Sequence, residues 1–141
     1  MSSETLRIPG TTRELARVRR TVARWAAEAG LSARATRQAQ TAVDEALANV
    51  IEHGVPGIGA GTGAARSRIT VRGETAPGTL AVTIRHRGSR FDPTATPVSL
   101  AAARDGRAVH GYGLHLLQRL ADDLAYRHDG GTNEIRIVKR S

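Results

Sequence analysis

Apolar residues recur at Leu15, Val18, Val22, Trp25 and Ala29, a three-to-four spacing that lies on one face of a helix over Thr12 to Ala29. Thr11 or Thr12 can cap its start, and Gly30 stops it. Ser32 then caps a second helix that runs to about His53 and ends at Gly54, with Ala39, Val43, Ala46, Leu47 and Val50 as its inward stripe. The period then changes. Arg68 to Gly73 and Thr79 to His86 alternate apolar with polar residues about Pro77-Gly78, which predicts a hairpin. A third helix is expected after Gly113. A second hairpin follows, with strands over Leu124 to His128 and Glu134 to Lys139 joined by Asp129-Gly130-Gly131. Leu6 to Ile8 reads as a short edge strand before Pro9-Gly10.

The order is strand, helix, helix, hairpin, long loop, helix, hairpin. Consecutive hairpins require antiparallel pairing, so a Rossmann alternation is excluded. The expected class is α+β: a two-layer α/β sandwich, with a mixed sheet and helices on one face. Val55 to Ala65 is a Gly-rich connector, and Gly88 to Gly113 is a long, weakly periodic stretch of the kind that is usually functional or mobile.

Composition narrows the function classes. At 141 residues the chain is read as a single domain, 1–141. It has no cysteine, which excludes a disulfide framework, a zinc knuckle and a thiol nucleophile. No apolar run approaches the ~18 residues of a spanning helix, and Met1 to Gly10 does not read as a secretory signal. The expectation is a cytoplasmic protein that does not engage a membrane. The formal charge is +8, and 20 of the 21 basic residues are arginine, with Lys139 the exception. That balance permits a nucleic-acid or an acidic partner. No helix-turn-helix, RNA-binding aromatic strand or zinc finger accompanies it, so no direct nucleic-acid contact is expected. The arginine excess also fits GC-rich codon usage.

Three segments carry candidate chemistry. Glu45 and Asn49 lie four apart on the second helix and share one face. A carboxylate beside a neutral amide oxygen suits a base and a magnesium ligand, although E-x-x-x-N alone is most often a solvated face. Gly88-Ser89-Arg90-Phe91-Asp92-Pro93 follows a strand, where glycine permits close approach to a ligand or simply ends the strand. His110-Gly111-Tyr112-Gly113-Leu114 opens a helix, where backbone N–H groups can converge on phosphate. A lone G-x-G is more often a helix-entry loop. The five histidines show no metal-ligand spacing. Arg85, Arg87, Arg90, Arg104 and Arg107 fall in or beside the presumed pocket; singly, each reads as solvated surface, and together they suit phosphates or an acidic partner.

In order, the three segments resemble the GHKL (Bergerat-type, histidine kinase-like) ATPase superfamily. TAVDEALANVIEHG, RFDP and HGYGLHLLQRLADDLAYRHDGGTNEIRIVKR look like the bacterial anti-sigma factor serine kinases, as does the opening RIPGTTRELARVRRTVARWAAEAGLS. The resemblance implies ATP and Mg²⁺ as cofactors. By it, Asn49 ligates magnesium and Glu45 is the general base toward a substrate serine. Gly88 lies against adenine, while Gly111, Tyr112, Gly113 and Leu114 hold the triphosphate beneath a lid from about Pro93 to His110. The implied partners are a sigma factor and a STAS-type anti-anti-sigma protein, and related kinases are commonly dimers, so a homodimer is compatible. The sequence departs from the family at its first glycine box. Asp-x-Gly-x-Gly is replaced by His86-Arg87-Gly88-Ser89-Arg90, which puts His86 where an Asp would accept from the adenine amino group. A neutral imidazole can accept that hydrogen bond; a protonated one cannot. Two readings lead, an active kinase or a partner-binding module of the same fold without turnover, and a nucleic-acid binder ranks below both.

Overall fold

The computed structural model describes residues 1–54, 68–88 and 116–141. Strand β1 (Ser2–Pro9) leads through a 3₁₀ turn (Thr12–Glu14) into α1 (Leu15–Ala29), then α2 (Ala33–Asn49). The strands β2 (Arg68–Ala76), β3 (Thr79–Arg87), β4 (Asp123–Asp129) and β5 (Thr132–Arg140) complete the sheet. Residues 116–120 are helical, within the span expected for the third helix. The sheet order is β1-β2-β3-β5-β4. The two-layer α+β architecture is as expected, with one correction: the sheet expected as mixed is antiparallel in all four described pairings. The reason is topological. β4 runs in the same direction as β3, but β5 enters between them, so the two same-sense strands never pair.

The turns explain themselves. Gly78, at φ 77°, takes the left-handed position after Pro77 in the β2–β3 hairpin. Gly130 and Gly131, both at positive φ, form the two-residue turn between β4 and β5. Gly30 ends α1 at φ 77°, and the N–H of Leu31 returns to the carbonyl of Ala26 at 2.9 Å. Ser32 caps α2 through its Oγ, which accepts from the N–H of Ala35 at 3.1 Å.

The core lies between helices and sheet. Val18, Val22, Trp25, Ala26 and Ala29 of α1 are buried, with Ala35, Ala39, Ala42, Val43, Ala46 and Leu47 of α2. The alanines let the two helices approach each other and the sheet closely. They pack on Ile8, Ile69, Val71, Ile84, Ile135 and Ile137. β1 is longer than the expected Leu6 to Ile8 because its polar first half, Ser2 to Thr5, still pairs fully with β2. Among the described residues no helix is long and apolar enough to cross a membrane.

Candidate functional site

Asn49 is the last residue of α2 and is 3% exposed. A π-turn, Val50–Gly54, follows it where a continuous α-helix was expected to His53. Such turns widen the helix locally and recur at functional sites. The Nδ2 of Asn49 has no hydrogen-bond partner among the described residues. Leaving a buried amide donor unpaired costs about 1–3 kcal/mol. Glu45, one turn earlier, is half-buried on the same side. Its neighbour Asp44 is committed elsewhere: Arg19 of α1 donates to its Oδ2, with Nε at 2.7 Å. Asp44 therefore links the two helices through Oδ2, while its buried Oδ1 has no partner among the described residues. Glu45 makes no ion pair among the described residues.

The direction of α2 fixes which end of the sheet Asn49 overlies. Its capping residue, Ser32, donates its N–H to Oγ of Ser141 at 2.7 Å, beside the C-terminal end of β5. α2 packs along β5. A 17-residue helix extends about 25 Å, so it ends toward the opposite end of the sheet, where Arg87 pairs with Thr132.

A row of residues crosses the sheet at that end on its helix side: Ile8, Ile69, His86, Asn133 and His128, each opposite the next. His86 is 2% exposed, and neither ring nitrogen has a well-formed hydrogen bond among the described residues. Burial pushes its pKa down to about 4, with repulsion from His128 adding to the effect. At neutral pH His86 is thus a neutral imidazole with one acceptor and one donor nitrogen. A consequence is acid sensitivity. The unfolded chain, near 6.5, binds the proton more readily than the folded one, so stability is full above pH 6.5 and falls as pH drops toward 4. The expected loss by pH 4.5 is about 2–3 kcal/mol. Urea unfolding at pH 7 and 4.5 checks it: His86→Leu should remove that part of the pH dependence.

Gly88 is held in place. Its N–H donates to the carbonyl of Gly131 at 3.0 Å. Its own carbonyl accepts from Nδ2 of Asn133 at 3.4 Å and lies 3.1 Å from Nε2 of His128, which must carry the proton to donate. The Tyr126 hydroxyl donates to Oδ1 of Asn133, which is fully buried. Sequence reasoning missed this Tyr126–Asn133–Gly88 relay. The signal was Asn133 itself, an amide in a strand, where Asn is depleted.

By its direction and length α2 carries Glu45 and Asn49 toward the end of the sheet where His86 lies on β3 and Gly88 just after it. Arg90, Arg104, Arg107, Gly111, Tyr112, Gly113 and Leu114, with the expected lid, lie outside the described residues. Arg85 and Arg87 do not join the site. They alternate with buried His86 and emerge, exposed, on the opposite face of the sheet. No metal-binding cluster of acidic, His or Cys residues occurs among the described residues.

Residues 8–139 match the family model for the histidine kinase-like ATPase domain. Comparison with curated proteins gives no match. Among solved structures, the chain resembles the RsbU and RsbW domains of Rv1364c from Mycobacterium tuberculosis, at 18% identity and a TM-score of 0.67. That likeness covers 99% of this chain, which spans only 32% of the other. It also resembles the SiaB-SiaC complex from Pseudomonas aeruginosa, at 15% identity and a TM-score of 0.68, covering 96% of this chain and 88% of the other. At these identities the structural likeness speaks to the fold.

Proposed function

The chain belongs to the histidine kinase-like ATPase family, and from that premise we propose that it is a cytoplasmic, single-domain, ATP-binding regulator of the anti-sigma type. In this reading it phosphorylates a serine on a STAS-type anti-anti-sigma partner and sequesters a sigma factor. The observation that carries the reading is Asn49, a buried amide whose Nδ2 has no hydrogen-bond partner among the described residues, so that the side chain turned end for end would present its oxygen there. The half-buried carboxylate of Glu45 lies one turn before it. The neutral imidazole of His86, without a hydrogen-bond partner among the described residues, belongs to the same end of the sheet. These groups fit a magnesium nucleotide: a neutral amide for a hard cation, a carboxylate for a proton, an imidazole acceptor for a base amino group.

Bound Mg²⁺-ATP would supply a γ-phosphoryl group open to attack by a hydroxyl. Asn49 would hold the cation through its amide oxygen. Glu45 would take the proton of the attacking serine hydroxyl and orient its oxygen. Gly88, braced by Asn133 and His128, would offer a side-chain-free surface to the base. Gly111, Tyr112, Gly113 and Leu114 would receive the phosphates.

A second reading keeps the fold and the partner but not the turnover. It is favoured by His86 standing where the family has Asp, which exchanges a charged acceptor for a neutral one. Hydrogen bonds to charged groups are worth about 1.5–3 kcal/mol against about 1 for neutral ones, so weaker nucleotide binding follows.

Thermal denaturation with and without ATP and magnesium tests the nucleotide claim. Occupancy at 100-fold above Kd stabilises by about 2.7 kcal/mol, and Asn49→Ala should lose most of the magnesium-dependent part. Absence of any ATP-dependent shift at millimolar nucleotide would overturn the claim.

A further inference from the structure

The face of the sheet turned away from the helices is arginine-rich and uncovered among the described residues. By strand alternation Arg7 of β1, Arg72 of β2, Arg85 of β3 and Arg136 of β5 all point there, and all are exposed. The registers interleave them with threonine. One row reads Thr5, Arg72, Thr83, Arg136, and the next reads Arg7, Thr70, Arg85, Glu134. Short threonines between long arginines leave a shallow basin of about 440 Å³, with Thr5, Thr70 and Thr83 lining it and guanidinium groups around it. Farther out, Arg68 and Arg87 extend the same face toward the Gly88 end, and Arg127 extends it onto β4.

The charges on this face are unevenly matched. Glu134 serves both Arg85, at 3.0 Å, and Arg127, at 3.3 Å. Arg7, Arg68, Arg72, Arg87 and Arg136 have no carboxylate partner among the described residues. Neighbouring strands are about 4.8 Å apart and alternate residues about 7 Å, so these cations lie within or near the ~8 Å Debye length of one another. An anionic occupant would relieve their mutual repulsion. A second copy of this chain presenting the same face would add to the repulsion.

We propose that this open face docks an acidic protein surface, with the partner's carboxylates seated among Arg7, Arg72, Arg85 and Arg136. Arginine pairs with carboxylate through two parallel hydrogen bonds, and it is enriched at protein interfaces. Five strands by about eight residues give roughly 600 Å² of face from the strand spacings, close to one partner's share of a standard interface. Two observations favour protein over nucleic acid. The described face carries no aromatic side chain on which bases could stack. It also includes Glu74 and Glu134, which repel a uniform phosphate backbone but can pair with scattered basic residues of a protein. The proposal does not depend on nucleotide binding at the other face.

The test uses the full chain and fluorescent poly-L-glutamate at low ionic strength, read by anisotropy. The doubly substituted Arg72→Glu/Arg136→Glu protein should bind at least about tenfold more weakly. A charge-matched control, Arg20→Glu/Arg37→Glu on exposed positions of α1 and α2, should stay within about twofold of wild type. Circular dichroism checks that both variants fold. Should the sheet variant not fold, amide shifts of the wild-type protein on adding poly-L-glutamate decide the matter, and they should concentrate on β1, β2, β3 and β5. Equal losses in the two variants, shifts confined to the helices, or tighter binding of a DNA oligonucleotide of equal charge would overturn the proposal. So would self-association through this face in light scattering.

Discussion

Gly73→Ala should destabilise the fold by about 3 kcal/mol, lowering the thermal midpoint by roughly 10 °C. Gly73 lies in the middle of β2, opposite Glu4 of β1 and Val82 of β3. A Cβ there would overlap Cδ2 and Cε3 of the Trp25 ring, far inside van der Waals contact. The indole has little freedom to yield. It is 1% exposed, packed in the core, and its Nε1–H donates to Oε1 of Glu4 at 2.7 Å. That bond, with Arg24 beside it, holds the Glu4 carboxyl below its ordinary pKa. The added methyl must therefore displace the ring, break its hydrogen bond or bend β2.

A double-mutant cycle separates this clash from any intrinsic preference of the strand for glycine. Trp25→Leu alone should also cost several kcal/mol, because it leaves a cavity. With Trp25→Leu in place, the further cost of Gly73→Ala should fall by at least ~1 kcal/mol, because the obstructing ring is gone. Additive losses would show that Trp25 is not the obstacle. The single tryptophan supplies a second readout, since a displaced indole shifts its own emission.

The same pair shows what the sequence could and could not reveal. The spacing of Val18, Val22 and Trp25 was enough to mark the buried face of α1, and Pro77-Gly78 and Gly130-Gly131 marked their hairpins. Those features are local and follow from 3.6- and 2-residue periods and from positive φ. Gly73 carried no such signal, because its reason for being glycine is a ring more than forty residues away in the chain. The antiparallel sheet was hidden similarly, since the insertion of β5 between β3 and β4 is a choice of pairing partner. For the proposed site, spacing and resemblance single out Glu45, Asn49 and Gly88. The relay from Tyr126 through Asn133 to Gly88 was not, because it joins three residues across two hairpins. Arg85 and Arg87 are exposed, as each reads singly from the sequence. They neighbour His86 in the chain, but alternation along a strand sends immediate neighbours to opposite faces, away from the proposed pocket.

Glu45→Gln should reduce phosphoryl transfer to a STAS-type partner by about 10²–10⁴-fold while preserving stabilisation by ATP and magnesium. The amide keeps the size and hydrogen-bonding reach of the carboxylate and loses only its ability to take a proton. Nucleotide affinity, assigned to Asn49, His86 and the glycines, should change little. Asp44→Asn is the informative neighbour. Asp44 is tied to Arg19, so its loss should weaken the α1–α2 contact by about 1 kcal/mol or less, with transfer largely retained. Incorporation of labelled γ-phosphate into the partner, measured beside thermal shift for each variant, distinguishes the outcomes. A loss under tenfold in Glu45→Gln would remove Glu45 from the role of base. Wild-type protein that is stabilised by nucleotide yet transfers no phosphate would select the reading without turnover. In that case His86→Asp should tighten ATP binding, because it restores a charged acceptor at the buried end of β3.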